Sequence, residues 1–163
     1  MKKQVVIVDY GLGNIVSAQQ SFLKVAYENS MEISIKISKN PNEVMGASYI
    51  VLPGQGAFKS CMTGLKEIPG MIDALEESVL KKKIPFLGIC VGMQLLANTG
   101  YENGEHKGLG WIEGKIKKLE VKNLKLPHMG WNNVKIINKS KKMNFNQENK
   151  DFYFVHSYFF DCF

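Results

Sequence analysis

Hydrophobic positions in the first hundred residues switch between two periods. Val5-Val6-Ile7-Val8 is an unbroken β-branched run, the pattern of a parallel strand covered on both faces. After the turn Asp9-Tyr10-Gly11-Leu12-Gly13-Asn14, apolar residues recur at helical spacing as Ile15, Ala18, Phe22 and Ala26. Ile33, Ile35 and Ile37 then alternate with polar residues, which predicts a half-exposed strand near a sheet edge. Asn40-Pro41-Asn42 turns the chain into a short helix, and Tyr49-Ile50-Val51-Leu52 is a second buried strand. Met71–Leu80, with Ile72, Leu75 and Val79 on one side, reads as an amphipathic helix ended by three lysines. Phe86–Ile89 is the central strand, and the helix after Cys90 is expected to close at Thr99-Gly100. Three alternations of strand and helix predict an α/β fold with a mostly parallel sheet and right-handed crossovers.

Beyond Gly100 the pattern changes. Gly108–Ile116 and Val134-Lys135-Ile136-Ile137 read as short strands with no amphipathic helix between them, predicting an antiparallel extension. Lys139–Lys150 is rich in Lys and Asn and reads as a surface loop, and Phe152–Phe160 reads as one aromatic strand.

Composition narrows the class. A chain of 163 residues with 45% hydrophobic content suits one globular domain over 1–163, and no linker divides it. Cys61, Cys90 and Cys162 form no Cys-x-x-Cys pair, so free thiols in a reducing, cytoplasmic setting are expected, with no metal site. Lys2 and Lys3 precede an apolar run, but Asp9 ends it too early for a signal peptide, and no segment is long enough to span a membrane. The net charge of +6 comes from lysines spread over several segments, without a single arginine. That distribution describes a solvated surface, and nucleic acid is not an expected partner.

The chemistry gathers at Gly88-Ile89-Cys90-Val91-Gly92. A strand, a tight turn with a nucleophile and then a helix make a nucleophile elbow, with glycines two residues either side to let strand and helix approach. A cysteine at a helix start feels the positive end of the helix dipole, which favours the thiolate. The Val91 N–H is free there to face an oxyanion, and Gln94 lies one turn on, on the same side as Cys90. Pro53-Gly54-Gln55-Gly56 leaves the carboxyl end of a strand and offers backbone amides as a second oxyanion donor. The same spacings also fit a buried cysteine on a glycine-rich turn and an ordinary loop. Gly11-Leu12-Gly13 suggests a dinucleotide loop, but Val16 in the third glycine's place and the lack of a convincing ribose-binding acid argue against it.

Taken in order, Asp9–Asn14, Leu52–Phe58, Leu87–Gln94, Gly108–Trp111, Pro127–Asn132 and Tyr153–Tyr158 resemble one family over essentially the whole chain. It is the class I (triad) glutamine amidotransferase subunit of imidazole glycerol phosphate synthase. The resemblance implies a flavodoxin-like α/β domain, with Cys90 attacking the side-chain amide of glutamine and ammonia passing to a (β/α)8-barrel synthase (cyclase) subunit. The two would form a heterodimer making imidazole glycerol phosphate and an aminoimidazole carboxamide ribotide. It also implies an oxyanion hole from Gly54, Gln55, Gly56 and Val91, and a glutamine pocket lined by Gln94, His156, Ser157 and Tyr158. Asn14, Met129, Trp131 and Asn132 would lie towards the synthase. No metal or organic cofactor is implied.

The family activates its nucleophile with a histidine and a glutamate in a His-x-Glu arrangement. Here His106, His128 and His156 are all without a glutamate two residues on. The expectation is a chain that ends before those strands, with its triad His and Glu absent and its activity weak or lost. Its last aromatics, Phe159, Phe160 and Phe163, would then border an open edge. His156 matches a pocket residue and not the triad base; His106 and His128 read as loop and surface histidines. The alternatives are a catalytically dead subunit kept for docking or regulation, a paralogue feeding ammonia to a sugar-modifying pathway, and a different cysteine-elbow enzyme.

Overall fold

The computed structural model describes residues 3–122, 124–135 and 151–162. They group into two compact units, Met1–Ile116 with Phe160–Phe163, and Lys117–Phe159.

The first unit is built on a four-stranded sheet. Its strands are β1 (Lys3–Val8), β2 (Ile33–Ser38), β3 (Tyr49–Gly54) and β4 (Phe86–Cys90), in the order β2-β1-β3-β4 and all parallel. The β-branched runs are where expected: Val6, Ile7, Val8, Ile50 and Leu52 are almost wholly removed from water. One face carries α1 (Ile15–Glu28), whose Ile15, Ala18 and Phe22 pack on Val5, Ile7 and Val51. Buried residues also come from α2 (Pro41–Met45), α3 (Phe58–Lys66) and α4 (Met71–Glu76), chiefly Val44, Phe58, Leu65, Met71 and Leu75. Each such side chain contributes about 1.5–3 kcal/mol.

Two helices stop earlier than their apolar spacing predicts. The helix expected over Met71–Leu80 is α-helical only to Glu76, and Glu77–Lys81 forms one wider π-type turn. The buried Ser78 in that turn donates to the Val44 carbonyl at 3.4 Å. The helix after Cys90, α5, covers only Val91–Gln94. Its continuation is captured from outside, because the carbonyls of Leu95, Leu96 and Ala97 accept from the N–H groups of Leu109, Trp111, Ile112 and Gly110. Thr99-Gly100 is accordingly a short strand, β5, and not a helix cap.

A second sheet runs β10-β7-β5-β6, with β6 His106–Lys107, β7 Gly114–Lys118 and β10 Tyr158–Cys162. The strand expected over Gly108–Ile116 is therefore confined to its last residues, since 108–112 bonds instead to the Leu95–Asn98 turns.

The second unit holds an antiparallel hairpin of β8 (His128–Asn133) and β9 (Asp151–His156). The aromatic strand expected over Phe152–Phe160 is broken at Ser157, where its carbonyl accepts from the Leu119 N–H at 2.8 Å. Val134 and Lys135 lie outside any strand. The remainder of that expected strand, the Lys139–Lys150 loop and Phe163 fall outside the described residues; Phe159 is exposed and Phe160 half-buried. Among the described residues no helix is long and apolar enough to cross a membrane.

Candidate active site

Cys90 is the last residue of β4 and the cap of α5, with φ 55° and ψ −118°. That is a strained region for a residue with a side chain, and such strain gathers at functional positions. The thiol is exposed. Glycines make the turn possible. A Cβ at Gly92 would enter the Leu52 carbonyl oxygen, and one at Gly88 would lie 2.6 Å from the Met93 α-carbon. A Cβ on Gly54 would collide with the Gly92 backbone. Strand, loop and helix thus meet at van der Waals limits around one sulfur.

The β3–β4 register sets Gly54 opposite Cys90. Val91, buried, follows as the first residue of α5, where a backbone N–H has no partner within the helix. Gln94 is half-buried at the other end of the same helix. With four residues α5 carries only a short dipole.

The 53–56 loop is held from beneath. Tyr10, 5% exposed, donates its hydroxyl to the Pro53 carbonyl at 2.6 Å. The buried Cys61 thiol is 3.5 Å from the Gln55 carbonyl, and Glu102 accepts from the Phe58 N–H at 2.7 Å where α3 begins. Burial, with Cys61 and Cys90 nearby, pushes the Tyr10 phenol far above its ordinary range; burial also raises Cys61. Gln55 and Gly56 are exposed, and Gly56 adopts φ 102°.

Tyr10, Cys61 and Glu102 were not singled out by sequence reasoning. Tyr10 stands in one of the stretches that carry the resemblance, yet nothing local announces a partner 43 residues away.

Asn14 has a structural task as cap of α1, its side-chain oxygen accepting from the Ser17 N–H at 3.2 Å. The remaining candidates lie on the hairpin unit. Met129 pairs with Val155 and Trp131 with Tyr153 on one face, all four exposed, and the two rings meet edge-on at 5.6 Å. Strand alternation puts Asn132 on the opposite face, with His128 and His156.

His128 is no isolated surface histidine. Its Nδ1 is 2.9 Å from His156 Nε2, and His156 Nδ1 is 3.0 Å from the Tyr158 carbonyl. Since that carbonyl only accepts, His156 donates to it through Nδ1, and in the neutral ring its Nε2 is then the acceptor for His128 Nδ1–H. His106 lies on β6 with its Nε2 buried and unpaired. Among the described residues no cluster of three or more His, Cys, Asp or Glu could hold a metal ion.

Known proteins resemble this chain over nearly its whole length. The family described as glutamine amidotransferase class-I matches residues 6–162. The imidazole glycerol phosphate synthase subunit HisH of Pelagibacter ubique is 45% identical over 158 residues, covering 96% of this chain and 74% of its own. The subunit of the same name from Zymomonas mobilis is 48% identical over 160 residues, covering 96% and 71%. A crystal structure of a glutamine amidotransferase superposes with a TM-score of 0.65 at 15% identity, covering 95% of this chain and 72% of that one, which speaks to the fold alone. The chain belongs to the class I glutamine amidotransferase family.

Proposed function

We propose that this chain is the glutaminase subunit of an imidazole glycerol phosphate synthase. Glutamine would be held with its side-chain amide carbon at the Cys90 sulfur. Attack by the thiolate forms the C–S bond and sends the carbonyl electron pair to oxygen, for which the N–H groups of Gly54, Gln55, Gly56 and Val91 are the proposed donors. Collapse of that adduct breaks the C–N bond; the amine takes a proton and leaves as ammonia. Water then attacks the glutamyl thioester, releasing glutamate and restoring the thiol. Gln94, His156, Ser157 and Tyr158 are the proposed glutamine-pocket residues. The ammonia would pass to a (β/α)8-barrel cyclase subunit, docked against Asn14, Met129, Trp131 and Asn132, that makes imidazole glycerol phosphate and the carboxamide ribotide in the cytoplasm.

The observation that carries this reading is the exposed Cys90 at φ 55°, at the turn where the Gly54 and Gly92 backbones come together. The HisH names of the relatives support the choice of acceptor. The test is glutamate release by the polypeptide mixed with a barrel synthase. Cys90→Ala should abolish it, and release that persists in the variant overturns the proposal.

A further inference from the structure

We infer that Tyr10 is a positioning residue for the oxyanion loop: its hydroxyl pins the Pro53 carbonyl at the end of β3 and so fixes the point from which the loop carrying the Gln55 and Gly56 N–H groups leaves the sheet beside Cys90. This rests on the glutaminase reading of Cys90. The strand β1 pairs with β3 only as far as Ile7 and Val51, whereas β4 accompanies β3 on to Gly54. Beyond Val51 the β1 side of β3 therefore has no strand partner, and Tyr10 reaches into that place to take the Pro53 carbonyl. In a trans peptide the C=O of one residue and the N–H of the next point in opposite directions. Holding the Pro53 oxygen on the β1 side consequently keeps the Gly54 N–H on the β4 side, within the ladder that sets Gly54 opposite Cys90, so the loop amides beyond it start from a fixed edge.

The phenol sits in a fitted slot. A Cβ on Gly54 would lie 2.8 Å from its oxygen, and one on Gly64 would lie 2.8 Å from the Tyr10 carbonyl and 3.3 Å from its ring. Burial keeps the phenol protonated, so it remains a donor across the working pH range. Cys61 does the same to the next plane but one: with the Gln55 oxygen towards its thiol, the Gly56 N–H turns away from α3.

The test compares two reagents on Cys90. A chloroketone analogue of glutamine alkylates through a tetrahedral adduct whose oxygen needs the hole, with chloride leaving. Iodoacetamide alkylates by direct displacement of iodide and does not need it. Tyr10→Phe keeps the ring and removes the hydroxyl. It should slow the chloroketone by about tenfold or more, less than the 10²–10³ that follows loss of a donor itself. The iodoacetamide rate should stay at the wild-type value, and Cys61→Ala should show a smaller change in the same ratio. Equal rates in Tyr10→Phe and wild type, or a parallel fall with both reagents, overturns the proposal. Amide exchange at Gly54 and Gly56 reads the same loop without chemistry and should accelerate in Tyr10→Phe. If the wild type ignores the chloroketone, the glutaminase reading fails; unchanged exchange then overturns the positioning role as well, and faster exchange upholds it.

Discussion

The α-carbon of Gly92 faces the Leu52 carbonyl so closely that not even a methyl group fits between them. Both partners are backbone, and neither can swing aside as a side chain would. Gly92→Ala should therefore destabilise the fold at the upper end of the overpacking range, about 3 kcal/mol, measured as a fall in the urea midpoint. A variant that unfolds at the wild-type urea concentration would contradict the elbow geometry.

The Glu102 carboxylate caps α3 from 44 residues away. Glu102→Ala leaves the Phe58 N–H without its acceptor and should cost about 1–2 kcal/mol in thermal or urea unfolding. Glu102→Gln retains a carbonyl oxygen at the same reach and should recover more than half of that loss.

On the hairpin, Trp131 is 74% exposed and stands on the face opposite Asn132. If the Met129–Trp131 face meets the barrel synthase, Trp131→Ala should weaken the complex by about 2 kcal/mol or more, as truncation of a central aromatic does. Asn132, on the other face, belongs to the same proposed docking set, and titration calorimetry should find Asn132→Ala weakened less than Trp131→Ala. Wild-type affinity in Trp131→Ala would remove the Met129–Trp131 face from the docking surface.

Alkali should loosen the first unit. The Cys61 thiol and the Tyr10 phenol are both raised by burial, so an unfolded chain releases these protons at lower pH than the folded one. Unfolding then becomes easier as pH climbs from the ordinary thiol range near about 8.5 towards the folded values, and the contribution is intact below it. Urea midpoints at pH 7, 8.5 and 10 should fall in that order. Cys61→Ala should flatten the first part of the decline.

The elbow was legible in the sequence because its requirements are local. Glycines at 88 and 92, a preceding β-run and a following turn lie within a dozen residues, and the structure uses each one. The parallel strands were legible for the same reason, since Val5–Val8 and Tyr49–Leu52 carry their burial in their composition. The early end of α5 was not. Helical spacing through Leu95, Leu96 and Ala97 is overridden by N–H groups that arrive from residues 109–112. The strand β8 escaped notice too, because His128-Met-Gly-Trp-Asn-Asn shows no clean alternation and its identity depends on β9. Tyr10 and Glu102 belong with these: each meets its partner more than forty residues along the chain.

The backbone of Cys90 has the angles of the first central residue in a type II′ turn, a place where glycine is at ease and cysteine is not. The cost of such a conformation is about 1–3 kcal/mol, borne by the whole fold for the sake of one sulfur. Replacing Cys90 by glycine should therefore yield a sturdier protein with no nucleophile. At this single residue robustness and reactivity pull against each other, and a lineage released from the need for that nucleophile would be expected to lose the cysteine before it lost the turn.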